Sequence, residues 1–310
     1  MTAAPRRGRL AGLPPNVQGA VWMMLAAFGF SIMGALVKVL GQRFDSFQIA
    51  FFRNLFGFAT LLPMIWAAGG LRVMRTPYPG RHLVRILTGI AAMVTNFYAL
   101  THLPLATATS ISFVAPMFMI VLGVLVLGEK VRWRRWSATL AGFAGIVMMV
   151  RPTTLTPDLA LLSALANAAF VAVAQVQVKT MPTAERPLTL LTLFSVAATL
   201  AMFVPAVLVW QSPTRVEWVV AVLVGATGVL SQGCVIRAFQ VGEATAVSPF
   251  DYTRLVFATA LGAFVFAEMP SAWTFAGAAV VIGSAVYIAR REGRLAAPPG
   301  SRPEGGAVRP

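Results

Sequence analysis

"EATAVSPFDYTR", residues 243–254, repeats in altered form an earlier stretch, "LATATSISFVAP", residues 105–116. Ala244, Thr245, Ala246 and Ser248 stand where the first copy has Ala106, Thr107, Ala108 and Ser110. The likeness continues downstream, where "FVFAEMPSAWTF" (264–275) parallels "LVLGEKVRWRRW" (125–136) with a one-residue gap, so that Glu268 answers to Glu129. Among the positions where the copies differ, two bring in charge inside the span: Asp251 and Arg254 in the second replace Phe113 and Pro116 in the first.

Both copies lie in apolar surroundings. The chain of 310 residues is 58% hydrophobic and 11% charged, with a mean hydropathy of +0.77, whereas soluble domains carry about 25% charged residues. Apolar runs of about 20 residues cross a ~30 Å hydrocarbon core as helices. Ten such runs are read at 19–40, 46–68, 83–101, 105–127, 136–150, 158–178, 188–210, 217–236, 244–267 and 272–289. The fifth is short and is expected to borrow Trp133 to Arg135, its arginines snorkelling to water. The first run is longer than a 7–15-residue signal core and is read as an uncleaved span.

Each copy of the repeat heads the fourth span of a set of five. Five is odd, so the second set must lie inverted in the membrane. Basic residues test this, because Lys and Arg are retained on the cytoplasmic side. With the N-terminus inside, 19 of the 25 basic residues fall in cytoplasmic segments, and only Arg43, Arg151 and Arg215 fall outside. The loop after Glu129 is basic; the equivalent "MPSA" after Glu268 carries no charge. The fold class expected is therefore all-α, an integral membrane protein of ten transmembrane helices in two inverted five-helix repeats. Its parts are a cytoplasmic segment 1–18, repeats at 19–151 and 157–290, and a Pro-, Gly- and Arg-rich cytoplasmic tail, 291–310, with too little to bury to fold. Both termini face the cytoplasm of a bacterial-type inner membrane.

Several classes of function are set aside. One cysteine, Cys234, allows neither an intrachain disulfide nor a cysteine metal cluster, and His82 and His102 make no metal pair. No nucleotide-binding glycine loop and no nucleophile–base arrangement is present, so neither an enzyme nor a cofactor is expected. The net charge of +15 lies between apolar segments rather than along one soluble face, which argues against nucleic acid.

Two five-span halves, the A-T/A-x-S stretches, the span ends at Glu129 and Glu268, and Gly-rich closing helices such as "LAGFAGIVMMVRP" and "FAGAAVVIGSAVYIAR" resemble the EamA-domain family of the drug/metabolite transporter superfamily. The resemblance covers about residues 19–290. It implies transport of a small molecule through a central cavity by alternating access, without naming the cargo.

Arg254, about 15 Å along the ninth span, and Asp251, about 10 Å along it, are costly in hydrocarbon, Arg254 by at least ~2.5–3.5 kcal/mol. They share a stripe with Ser248, Ala258 and Gly262 that should face inward. The plain reading is a self-neutralising ion pair. The functional reading is that Arg254 holds an anionic substrate group while Asp251 orients it or takes up a coupling proton. Pro249 and Pro116 interrupt matching helices, as happens at transporter sites. Arg53 in "AFFRNLFG" is a second buried cation. Lys38, near its span end, is expected to snorkel, and Glu129 and Glu268 to fix loops. Asn96 with Gly89 and Ala92, Gln232 with Gly225 and Gly228, and Asn167 with Ser163 and Ala174 form small-polar stripes that serve either helix packing or substrate. Phe97, Tyr98, Phe250 and Tyr252 are candidates to stack on an aromatic cargo.

The function expected is secondary transport of a small metabolite bearing a carboxylate or phosphate, amino-acid-like or aromatic. Export is the default direction. Uptake of a vitamin or nucleoside-type cofactor is the alternative, and a non-transporting scaffold or lipid scramblase a minor one. Partners are the substrate and the lipid bilayer. One chain holds both repeats, so a monomer suffices and a dimer is equally compatible.

Overall fold

The computed structural model describes residues 14–112, 158–180, 186–241, 250, 251 and 253–269, with scattered positions between 114 and 148 and between 271 and 287. Residues 1–13, most of the fifth span, Ser248, Tyr252, Pro249, Glu129 and the tail lie outside the described residues.

Those residues form α1 (Pro15–Leu40), α2 (Ser46–Ala67), a 3-10 turn (Gly70–Met74), α3 (Pro79–His102), α4 (Leu105–Ser112), α5 (Leu159–Thr180), α6 (Pro187–Leu208), α7 (Arg215–Val241) and α8 (Thr253–Phe266). Prolines start α1, α3 and α6, where a missing N–H costs nothing. They extend α1 and α3 four residues ahead of the apolar runs. Asp45 caps α2, accepting the Phe47 N–H at 2.8 Å. α2 and α6 each carry a proline near the C-terminal end, Pro63 and Pro205.

Five helices, α1, α2, α3, α6 and α7, are long and apolar enough to cross a membrane; α5 and α8 are shorter apolar helices. The distribution of polarity is that of a protein solvated by lipid. Leu87, Leu200, Val204, Leu208, Val219 and Phe264 are exposed, whereas Ser31, Gln48, Asn54, Asn167, Thr192 and Ser195 are buried. A water-soluble protein would reverse that arrangement.

α7 is the centre of the packing. It lies against both α1 and α2, while α2 also packs on α6, α3 on α5, and α8 on α1 and α4. The close crossings are made by glycine. A Cβ on Gly225 would stand 2.6 Å from the Gly57 nitrogen and 2.7 Å from the Phe56 carbonyl carbon of α2. One turn on, a Cβ on Gly228 would stand 2.9 Å from Met33 Sδ of α1. The main core then draws Val37 and Leu40 from α1, Phe52 from α2, Phe97 from α3, Leu105 from α4 and Val224 from α7.

The α6–α7 connection is tied to the start of α2. Gln48 donates to the Gln211 carbonyl at 2.7 Å and accepts the Gln211 N–H at 3.0 Å. Arg43 meets Glu217 at 2.8 Å, and Phe52 packs edge-on against Trp210.

Gly225→Ala should lower stability by about 1–3 kcal/mol, because the added methyl meets backbone that cannot rotate away. Gly233→Ala on the same helix, with no atom within 4 Å of its Cβ, should be neutral or stabilising by up to about 1 kcal/mol. Thermal unfolding of the purified protein in detergent compares the two; equal midpoints would refute the crossing.

Candidate functional site

Arg53 lies about 10 Å along α2 and turns inward. Its Nη1 donates to Asn54 Oδ1 at 3.0 Å and approaches Met93 Sδ of α3 at 3.8 Å. The guanidinium carbon stands 5.6 Å from the centroid of the Phe194 ring of α6, within cation–π range. Asn54 is oriented in turn by donating to the Ala50 carbonyl at 2.7 Å. Two glycines make the space: a Cβ on Gly228 would stand 3.3 Å from Arg53 Nε, and one on Gly89 would stand 2.6 Å from the Phe194 ring. Among the described residues every partner of Arg53 is neutral, so its charge is solvated by an amide, a sulfur and a ring.

One turn beyond Met93 on α3 is Asn96, whose Oδ1 accepts from Asn167 Nδ2 of α5 at 3.3 Å. The two stripes of Asn96 and Asn167 therefore meet, as interhelical hydrogen bonding requires. Gln232, half-buried, follows Gly228 by one turn on α7. Arg53 thus reaches α3 at Met93, Asn167 reaches it one turn on at Asn96, and Gln232 lies one turn from Gly228, which flanks Arg53. Phe194 also flanks Arg53, and sequence reasoning passed over it: a phenylalanine in an apolar span carries no signal of its own.

Asp251 and Arg254 form a second group, arranged differently from a continuous-helix stripe. Residues 250 and 251 are in 3-10 geometry and α8 begins at Thr253, so Arg254 sits in the first turn. The positive end of the helix dipole opposes a guanidinium there and favours the Asp251 carboxylate. The ion pair between them is long, 3.9 Å. Arg254 Nη2 donates instead to Ser112 Oγ of α4 at 2.9 Å, and the Arg254 carbonyl lies 3.1 Å from the Ser31 hydroxyl of α1. Arg254 is therefore a junction of α8 with α4 and α1, with a loosely held carboxylate beside it. Leu255, Ala258 and Gly262 are buried and Val256 is exposed, which agrees with an inward stripe.

The aromatic candidates divide. Phe97 is core, 1% exposed, and Tyr98 stacks on His102 at 4.1 Å, so neither is free to take a ring. Phe250 is exposed. Among the described residues no group of His, Cys, Asp and Glu could hold a metal ion.

Comparison with known proteins fits this geometry. Residues 17–151 and 158–290 each match the EamA-like transporter family. The chain is 30% identical to the "S-adenosylmethionine uptake transporter" of Rickettsia prowazekii, over 89% of its own length and 94% of the relative's. It is 27% identical to the "Riboflavin transporter" of Vibrio cholerae over 89% and 94%, and 29% identical to the "Pseudopaline exporter CntI" of Pseudomonas aeruginosa over 88% and 96%. A solved crystal structure superposes with a TM-score of 0.68 over 91% of this chain and 99% of its own, at 20% identity. The relatives are transporters rather than enzymes, and their partners are small molecules and the lipid bilayer. The chain is a multi-pass membrane protein that belongs to the EamA-like transporter family.

Proposed function

We propose that the protein is a secondary carrier for a small metabolite that joins a carboxylate to a flat ring, and that Arg53 holds the carboxylate. The observation that carries this reading is the Arg53 guanidinium, inside the helix bundle with only neutral partners among the described residues. A charge in that setting is expensive and marks a functional group. An anionic cargo supplies the missing countercharge. Asn96, Asn167 and Gln232 offer amide donors and acceptors nearby, and Phe194 a ring face. Asp251 and Arg254 make a second station whose opposite charges complement an amino-acid ammonium and carboxylate; Ser248 and Tyr252 adjoin it in sequence. S-adenosylmethionine, the cargo named for the Rickettsia relative, has both an amino-acid end and an adenine ring. Vitamin uptake is the second reading, favoured by the riboflavin transporter relative.

The carrier is read as two inverted five-helix repeats. Three pairings support this: α1 with α7 answers to α5 with α3, α2 meets its counterpart α6, and α4 meets its counterpart α8. Pro63 and Pro205 fall at matching places in α2 and α6. Gly145 and Gly277, from the closing helices of the two halves, are in close approach. Such architecture works by rocking one set of helices against another around a central site. A carrier of this kind follows the gradient it meets, so export, expected from the sequence, and uptake are two directions of one cycle. A coupling proton on Asp251 is part of the proposal.

Comparing metabolites in cells and medium tests the cargo. A compound should redistribute when the protein is expressed, and Arg53→Met should slow it by about 10- to 100-fold, the worth of a charge-assisted hydrogen bond. Arg53→Lys should retain part of the rate. Unchanged redistribution in Arg53→Met at equal expression would refute the assignment, and no redistribution would refute transport.

The inner-membrane orientation predicts that alkaline phosphatase fused after Arg135 is inactive and after Ser271 active. Equal activity in the two fusions would refute inversion.

A further inference from the structure

The tip of α8 is held in place by polar bonds together with Phe266, which packs against the main core. Phe264 is 89% exposed and Met269 84% exposed, so the other apolar side chains of this end face outward. Ala267 takes φ 53°, a left-handed conformation that an alanine rarely adopts. The turn brings the Glu268 N–H back to the Gly262 carbonyl at 3.0 Å and swings the Glu268 carboxylate over the start of α4. There one oxygen accepts the Leu105 N–H at 3.0 Å, a carboxylate on a helix N-terminus. The other meets Lys38 Nζ of α1 at 2.5 Å. Lys38 also donates to the Leu103 carbonyl, next after the last residue of α3, at 2.8 Å, and lies 5.5 Å from the Phe266 ring centroid.

We propose that Lys38 and Glu268 are the latch that keeps one mouth of the carrier shut. The proposal rests on the reading of the chain as an alternating-access carrier. The pair joins α1, α3 and α4 of the first half to α8 of the second. Its side chains are only 14% and 25% exposed, so Lys38 is ion-paired inside the bundle rather than snorkelling, and Glu268 does more than shape a loop. At the opposite end the same two helices, α4 and α8, are joined through Ser112 and Arg254. α8 therefore has a polar attachment at each end. The Arg254 end lies next to buried Leu255 and Ala258, whereas at the Glu268 end Val265, Ala267 and Met269 are exposed. The second can part while the first serves as pivot. Parting exposes Lys38, the Leu103 carbonyl and the Leu105 N–H together. Each then needs water, so the mouth has a dry closed state and a wet open one with little between.

The latch is tested without any cargo, so its failure and the failure of the cargo assignment are separable. Spin labels are placed on cysteines at Gln42 and Ser271, flanking the pair, in a Cys234→Ser background, and the distance is read by pulsed electron paramagnetic resonance in nanodiscs. The parent should give mainly one short distance. Lys38→Gln and Glu268→Gln should each add a population several ångströms longer; Glu268→Gln keeps an acceptor for Leu105 and loses only the charge toward Lys38. Lys38→Arg, which keeps the charge toward Glu268 and a donor for the Leu103 carbonyl, should keep the short population. The short distance unchanged in both neutral variants would overturn the proposal. Should those variants not accumulate, Glu268→Asp, which keeps the charge and shortens its reach to Lys38, decides: an added longer population supports the latch, and a distribution equal to the parent's overturns it.

Discussion

At Gly225 the backbone of α7 comes directly against the backbone of α2, and much of the structure depends on that. Because Gly225 meets the backbone of Phe56 and Gly57 directly, α7 can touch α2 and α1 at once. This double contact joins the two halves of the chain. It also delivers Gly228 to the flank of Arg53, so the geometry that packs the helices is the geometry that makes room for a cation. In lipid there is no hydrophobic drive between apolar helices, and close backbone approach supplies the dispersion that replaces it. The small stripe on α7 thus serves packing, and under the proposed function it also makes room for the site.

The bundle solves the cost of an intramembrane cation in three ways. Lys38 has a carboxylate at contact distance and two helix termini beside it. Arg254 has a carboxylate at long range and a hydroxyl at short range. Arg53 has an amide, a sulfur and a ring. The sequence suggested a different ranking, with Arg254 and Asp251 as the principal pair. Asp251 is visible as a neighbour in sequence, but Arg254 also donates to Ser112, 142 residues away. A continuous ninth helix would have faced the two side chains toward each other, whereas α8 starts at Thr253.

What could be read from the sequence was what depends on local pattern. Apolar length located α1, α2, α3, α6 and α7, with their ends moved by a few residues through Pro15, Pro79 and Pro187. The internal repeat and the basic loops led to the family. The stripes through Asn96 and Asn167 were visible, and their meeting was not, since helical spacing orients a face without naming the face opposite. Phe194 was hidden among other phenylalanines. Glu268 was noted only as a span end, because its role depends on a left-handed Ala267 and on Lys38, 230 residues earlier in the chain.

The central claim is that a cargo carboxylate answers the charge of Arg53. Purified protein in liposomes, preloaded with unlabelled S-adenosylmethionine, would be challenged with labelled S-adenosylmethionine or with its decarboxylated analogue. The account predicts accelerated entry of the carboxylate-bearing compound and little entry of the analogue, whose ring and sulfonium are the same. Equal entry of the two, or entry of neither, would contradict it.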